Sequence, residues 1–290
     1  MSRRDRALGR VVTVLPNHKF GVTRSVALEA DLVSGDGDAA FIRANAAFVW
    51  NYYARVVRLA ARRSRDRLLD RVTAVGEHHL RTAEAHARGV ILLSVHLGDF
   101  DLAGAWLAAR RGLTPVVVSR PLLPRWREAT FSGIRRRCGV VVRDANSTAL
   151  ASLEDDLNQG RAILAMLDRR PPGPTSTLKM LGKPAVASLA VATLAARTRA
   201  PLLPAATWRS RRGSVIAWFG APTVALRVTE AVTAMAAAAE TLSTLIRDHP
   251  EQWHVPSDLR QLAWSGIGES HSATRAQPVP ALKSANASAR

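Results

Sequence analysis

Apolar residues along this chain fall into two kinds of run. Residues 43–72, RANAAFVWNYYARVVRLAARRSRDRLLDRV, contain neither Gly nor Pro, and Phe48, Tyr52, Val56 and Leu59 recur at the spacing of one helix face. The spacing predicts one or two helices. Further on, short β-prone runs follow one another: GVILLSV (89–95), TPVVVS (114–119), GVVV (139–142), AILAML (162–167), PLLPAATW (201–208) and SVIAWFG (214–220). Helical patterns alternate with them over residues 102–110, 124–137, 148–158, 185–197 and 229–247. Such alternation predicts an α/β fold, a largely parallel central β-sheet flanked by helices and preceded by a basic amphipathic helical region.

The pattern divides the chain into three parts. Residues 1–42 form an N-terminal segment expected to be membrane-proximal, and 43–264 a single α/β domain. Residues 265–290, rich in Ser, Ala, Gly and Pro without apolar periodicity, are expected to be a disordered tail. With 47% apolar residues in 290, a sizeable core is available. The single cysteine, Cys138, excludes an internal disulfide framework and a Cys-based zinc site, and fits a reducing compartment. The start of the chain has no apolar run of signal-peptide type. The longest weakly polar stretch, residues 185–196, is shorter than the ~20 residues that span a bilayer, so any membrane attachment is expected to be peripheral.

Charge changes the picture most. A formal net charge of +18, carried almost entirely by arginine, calls for an anionic partner: nucleic acid, lipid headgroup, phosphate-bearing substrate or acidic carrier protein. Codon bias in a GC-rich genome is an alternative source of part of the Arg, Ala and Val excess, which weakens the charge argument without removing it. Arg55, Arg58, Arg62, Arg63, Arg65, Arg67 and Arg71 lie on the predicted helices with Trp50, Tyr52 and Tyr53 near their start. Two readings stand side by side: a basic helix lying at a membrane surface, and a solvated basic face with the aromatics in the core.

The chemistry concentrates in ILLSVHLGDFDLAG, residues 91–104. Functional groups in such sheets sit at the C-terminal ends of strands, and His96 follows a strand directly. Leu97 and Gly98 make a turn, and Asp99 to Asp101 open the next helix. An Asp in a first helical turn favours the helix dipole and can cap it, which suits Asp99. A His with a carboxylate on one ring nitrogen is held in one tautomer and leaves the other nitrogen to accept a proton from a hydroxyl. No G-x-S-x-G nucleophile accompanies the pair, so direct transfer to an acceptor hydroxyl is more economical than an acyl-enzyme. His96, Asp99 and Asp101 also read as metal ligands, with the strand-end Asp168 as a further candidate, which leaves a metal-dependent hydrolase as an alternative. A basic nucleic-acid-binding protein is another, although no such motif is recognisable and arginine is spread along the whole chain.

HLGDFD resembles the H-x4-D/E motif of the glycerolipid acyltransferase superfamily. Its surroundings resemble the branch of bacterial lipid A late acyltransferases and phosphatidylinositol mannoside acyltransferases, which usually read H-x-G-N-W-E; here Asp99 stands for the Asn, Phe100 for the Trp and Asp101 for the Glu, so Asp99 reads as a helix cap or as a family variation at the Asn position. The likeness runs from about residue 45 to 256: SRP at 119–121, IRRRCGV with Arg135 and Gly139, LEDDLNQGRAILAMLDRR with Asp168, LKMLGKPA, and RDHPEQW before the sequence departs. The resemblance implies His96 as general base and Asp101 as its orienting partner. It implies that Arg135 and Asp168 support substrate and transition state, with Arg120 and Arg169 as further substrate-binding candidates. It also implies an acyl-CoA or acyl carrier protein donor, a hydroxyl of a lipid or glycolipid as acceptor, no cofactor or metal, and no nucleic-acid partner. The expected location is the cytoplasmic face of the inner membrane, held peripherally on its anionic surface.

Overall fold

The computed structural model describes residues 38–119, 125–144 and 149–254. Helix α1 (Asp38–Arg58) buries Ala46, Val49, Tyr52 and Val56, the face that the three-to-four-residue spacing marks out. The chain turns at 59–61 and continues as α2 (Arg62–Leu69), which buries only Leu68 and Leu69. Residues 43–72 are thus two helices, and the first strand, β1 (Val72–Val75), begins where they end.

The remaining elements are α3 (Glu77–Glu84), β2 (Val90–Ser94), α4 (Phe100–Trp106, prolonged by a π-turn over Leu107–Arg111), β3 (Pro115–Ser119), α5 (Arg125–Arg137), β4 (Val141–Asp144), α6 (Ala149–Asn158) and β5 (Ala162–Met166). After them come β6 (Thr175–Met180), β7 (Lys183–Ser188), α7 (Leu189–Thr198), β8 (Leu202–Arg209), β9 (Val215–Phe219), α8 (Val228–Asp248) and a single 3-10 turn over Pro250–Gln252. Seven strands form one sheet in the order β1-β9-β8-β2-β5-β3-β4. The five from β8 to β4 are parallel, while β9 pairs antiparallel with β8 and β1 runs with β9. The expected α/β architecture with a mostly parallel sheet is what the chain adopts.

Strand β2 is central and buried on both faces, the signature of a strand covered by helices on each side. Its alternate side chains feed two cores. Ile91, Leu93 and Val95 join the side that includes Leu157, Leu194 and Leu242 of α6, α7 and α8. Val90 and Leu92 join the other, with Tyr52, Leu69, Leu80, Leu102 and Ile134 of α1 to α5.

One expected helix is corrected. Residues 185–188 belong to β7, and the helix starts only at Leu189. Strand β6 alternates exposed and buried positions up to Met180, then Leu181 and Gly182, both at positive φ (54° and 82°), reverse the chain into β7. Alanine-rich composition reads as helix, yet Ala185 and Ala187 are buried on one face of a hairpin, and cross-strand pairing overrides that propensity. Among the described residues no helix is long and apolar enough to cross a membrane. The N-terminal segment up to residue 37, the tail and Arg120 lie outside the described residues.

Candidate active site

Register places the centre of the site. Ser94 of β2 pairs with Met166 of the neighbouring parallel strand β5, so two residues past each strand end His96 and Asp168 stand side by side. Asp168 Oδ1 lies 2.8 Å from His96 Nδ1, and Oδ2 accepts the His96 backbone N–H at 2.9 Å. The Trp253 indole N–H donates to the same Oδ2, also at 2.9 Å. Burial works against the Asp168 charge, but His96, Arg169 and these hydrogen bonds outweigh it and hold the carboxyl far below the ordinary carboxylate range. An ionised carboxylate only accepts, so Nδ1 carries the proton and Nε2 presents its lone pair. Burial also lowers the His96 pKa, with Arg169 and Arg135 adding to the effect and Asp168 opposing it. His96 is therefore a neutral imidazole at neutral pH.

The carboxylate on His96 Nδ1 is thus Asp168, where the motif resemblance implied Asp101. After Gly98 the chain enters α4 at Phe100, and Asp101, in its first turn, lies near His96 but takes its hydrogen bonds from other partners. The Arg135 guanidinium of α5 grips it through Nε (2.7 Å) and Nη2 (3.2 Å), and the Tyr52 hydroxyl of α1 donates to Oδ2. Burial raises the Asp101 pKa, but Arg135 and the Tyr52 hydrogen bond reverse that, and the net shift is downward. The same burial beside Asp101 pushes the Tyr52 phenol well above its usual value, so Tyr52 stays a donor.

Asp99 makes no side-chain capping bond to its helix. It is 1% exposed, and its oxygens are taken by Arg55 Nε of α1 and Arg209 Nη2 of β8, each at 2.7 Å. A buried carboxylate between two guanidinium groups ties the helical layer to the sheet, which the helix-cap reading missed. His96, Asp99 and Asp101 therefore diverge to three separate sets of partners instead of converging on one point. Among the described residues no group of three or more His, Cys, Asp or Glu is placed to hold a metal ion.

Gly98 makes the turn between His96 and α4. Its φ is +66°, and a Cβ there would stand 2.3 Å from the Thr207 carbonyl oxygen, so both conformation and space call for glycine. The Thr207 hydroxyl in turn donates to the Leu97 carbonyl at 2.7 Å. Phe100 sets its ring against His96 edge to face, 5.2 Å between centroids. A narrow apolar cavity between α4 and the sheet reaches Phe100 and is lined among others by Leu92, Gly104, Leu107, Ala217 and Phe219.

Two other candidates sit nearby. Arg169 donates to the His254 carbonyl and has Nη1 3.6 Å from Asp168, so it joins the Asp168 side of the site. Arg135 stands with Asp101. Residues at the site that sequence reasoning did not place there are Tyr52, Arg55, Arg209, Trp253 and His254. The last is buried among Phe48, Tyr52 and Phe100 with Nε2 2.9 Å from the Gly98 carbonyl, and burial followed by the nearby His96 pushes its pKa down to about 3. The signals were present: Tyr52 lies on the apolar stripe of α1, and Trp253 closes the HPEQW segment.

A mostly parallel α/β sheet thus carries a histidine and a buried aspartate, hydrogen-bonded to each other, at adjacent strand ends. Residues 38–256 match the sequence profile of the bacterial lipid A biosynthesis acyltransferases, and the chain belongs to that family. It is also similar to phosphatidylinositol mannoside acyltransferase of Mycobacterium tuberculosis, in strains CDC 1551 / Oshkosh and ATCC 25618 / H37Rv. Identity is 30% over 209 residues, 70% of this chain and 65% of the relative. The chain thus spans somewhat less than two thirds of the length of the curated relatives it matches.

Proposed function

We propose that this protein transfers a fatty acyl chain from a thioester of coenzyme A or acyl carrier protein to a hydroxyl group of a membrane glycolipid, with His96 as general base. The observation that carries this reading is the His96–Asp168 pair: a neutral imidazole fixed through Nδ1, with Nε2 left to accept a proton. In the proposed step the acceptor oxygen attacks the thioester carbonyl as its proton passes to His96 Nε2. The tetrahedral intermediate collapses with loss of the C–S bond, and the imidazolium returns the proton to the departing thiolate. Asp168 stabilises the imidazolium. Arg135, aligned by Asp101, supplies positive charge for the developing oxyanion or for a phosphate of the substrate. Arg169 and Arg120 remain proposals for substrate binding. No cofactor enters this sequence of steps.

A glycolipid acceptor of the phosphatidylinositol mannoside type is favoured over a lipid A type by the mycobacterial relatives. Attachment would be peripheral, at the cytoplasmic face of the inner membrane. Trp50 and Val57 are exposed on α1, and Arg58, Arg62, Arg63 and Arg67 are exposed close by, an apolar and cationic combination suited to an anionic lipid surface. The same charge suits phosphorylated donors and an acidic carrier protein.

The test is transfer of radiolabel from acyl-CoA and from acyl carrier protein to a lipid extract containing mannosylated phosphatidylinositol. His96→Ala should stay folded and lose transfer; full turnover in that variant overturns the proposal. Mass spectrometry of lipids from cells lacking the protein should reveal a glycolipid short of one acyl chain.

A further inference from the structure

Among the described residues three hydrogen bonds converge on the Asp168 carboxylate, and they divide unequally. Oδ1 serves the imidazole alone, whereas Oδ2 takes the His96 backbone N–H and the Trp253 indole N–H. The indole arrives there by a route built for the purpose. Residues 252–254 lie antiparallel along residues 96–98: Leu97 and Trp253 form a β-bridge, Gly98 N–H donates to the Gln252 carbonyl at 3.0 Å, and His254 N–H donates to the His96 carbonyl at 2.7 Å. The segment is fixed from two sides. Asn45 Nδ2 of α1 donates to the carbonyls of Glu251 (3.1 Å) and Trp253 (2.8 Å), and the Gln252 amide bonds both the N–H and the carbonyl of Arg209. Trp253 itself is fully buried.

Without the indole Asp168 would keep one donor on each oxygen, the His96 N–H on Oδ2 and the imidazole N–H on Oδ1; the indole adds a second donor to Oδ2, anchors that oxygen and holds the carboxylate against displacement. We infer that Trp253 is a positioning residue of the acyl-transfer site, its indole N–H locking Asp168 so that Oδ1 alone faces His96 Nδ1. The inference rests on His96 being the base. An N–H on Oδ2 also draws charge from the carboxylate and tempers its hold on the imidazolium, so the indole restrains the basicity of His96 as well as its orientation.

Two variants separate this role from packing: Trp253→Phe, and replacement of Trp253 by benzothienylalanine, which keeps the bicyclic shape and substitutes sulfur for the N–H. The first readout is NMR titration of His96 in the resting protein, assigned with His96→Gln and needing no turnover. Both variants should raise the His96 pKa by about 0.5–1 unit. The second readout is kinetic: turnover should fall about 10- to 100-fold, with the donor KM changed less than about twofold. In an Asp168→Asn background Trp253→Phe should cost nothing further. An unchanged His96 titration in the sulfur variant overturns the inference, as does an equal loss of turnover with and without Asp168. Should the protein transfer no acyl group at all, the titration still decides the role of Trp253, so the two failures are told apart.

Discussion

His96 and Asp168 lie 72 positions apart in the chain and meet at 2.8 Å because β2 and β5 are neighbours in register, each ending two residues short of its functional side chain. The pairing belongs to the sheet itself. Asp101, five residues from His96, serves a different cation.

That division of labour makes the two aspartates separable. Asp168→Asn removes the charge that orients and supports the imidazole, and turnover should fall about 10²–10⁴-fold with little change in substrate KM. Asp101→Asn leaves His96 paired but weakens the grip on Arg135, so Arg135→Lys, which loses the two-pronged contact, should resemble it. Steady-state kinetics on all three variants, with folding checked by circular dichroism, reads the pattern. Equal pH-independent losses in Asp168→Asn and Asp101→Asn would contradict it.

Gly98→Ala should be severe despite its size. The residue would have to hold a left-handed backbone and push a methyl group into the Thr207 carbonyl. A loss of about 1–3 kcal/mol for the backbone alone is expected in urea unfolding, and displacement of the turn should abolish turnover in whatever fraction folds.

The Asp99 ion triad predicts a stability effect largely separate from chemistry. Asp99→Ala leaves Arg55 and Arg209, with side chains only 14% and 22% exposed, facing one another without their shared carboxylate. Breaking such a pair costs about 3–5 kcal/mol, measurable as a lowered urea midpoint. Asp99→Asn, which retains an acceptor oxygen, should lose less. Turnover per folded molecule should change far less than in Asp168→Asn, because Asp99 does not touch His96.

The pH dependence has a definite sign. In the proposed mechanism His96 acts as a neutral base, and its folded pKa lies below the ordinary 6.5, so the acidic limb of kcat/KM should fall below pH 6.5. His254, at about 3 when folded against 6.5 when unfolded, takes up its proton more readily in the unfolded chain. The unfolded state therefore binds more protons between these values, and unfolding free energy should decline as pH falls from about 6.5 toward 3. Asp101 and Asp168, both held below their ordinary value, extend the decline further into acid. Urea midpoints measured from pH 8 to pH 4 test the trend, and His254→Gln, which keeps an N–H for the Gly98 carbonyl, should flatten it.

Much of this was legible in the sequence. The apolar run ending at His96 announces a central strand with chemistry at its tip, and Asp168 stands out as another strand-end carboxylate. What the sequence withheld was which strands are neighbours. Proximity along the chain favoured Asp101, whereas sheet order set β5 beside β2 and the first turn of α4 aimed Asp101 at Arg135. Asp99 was misread for a related reason: a helix cap is a local role, and its two arginines come from positions 44 residues upstream and 110 downstream. The second strand of the hairpin, β7, hid in alanine-rich composition, where burial on one face, not propensity, decides the structure.

The closure of the site by residues 252–254 has a consequence for biosynthesis. A ribosome makes the chain from its N-terminus, so β2, β5 and both members of the His96–Asp168 pair emerge well before Trp253 does. The sheet can assemble on the nascent chain, but the carboxylate acquires its final donor only once the stretch after α8 has left the exit tunnel. If Trp253 positions Asp168 as inferred, nascent chains released before residue 253 should be folded over most of their length yet poorly active.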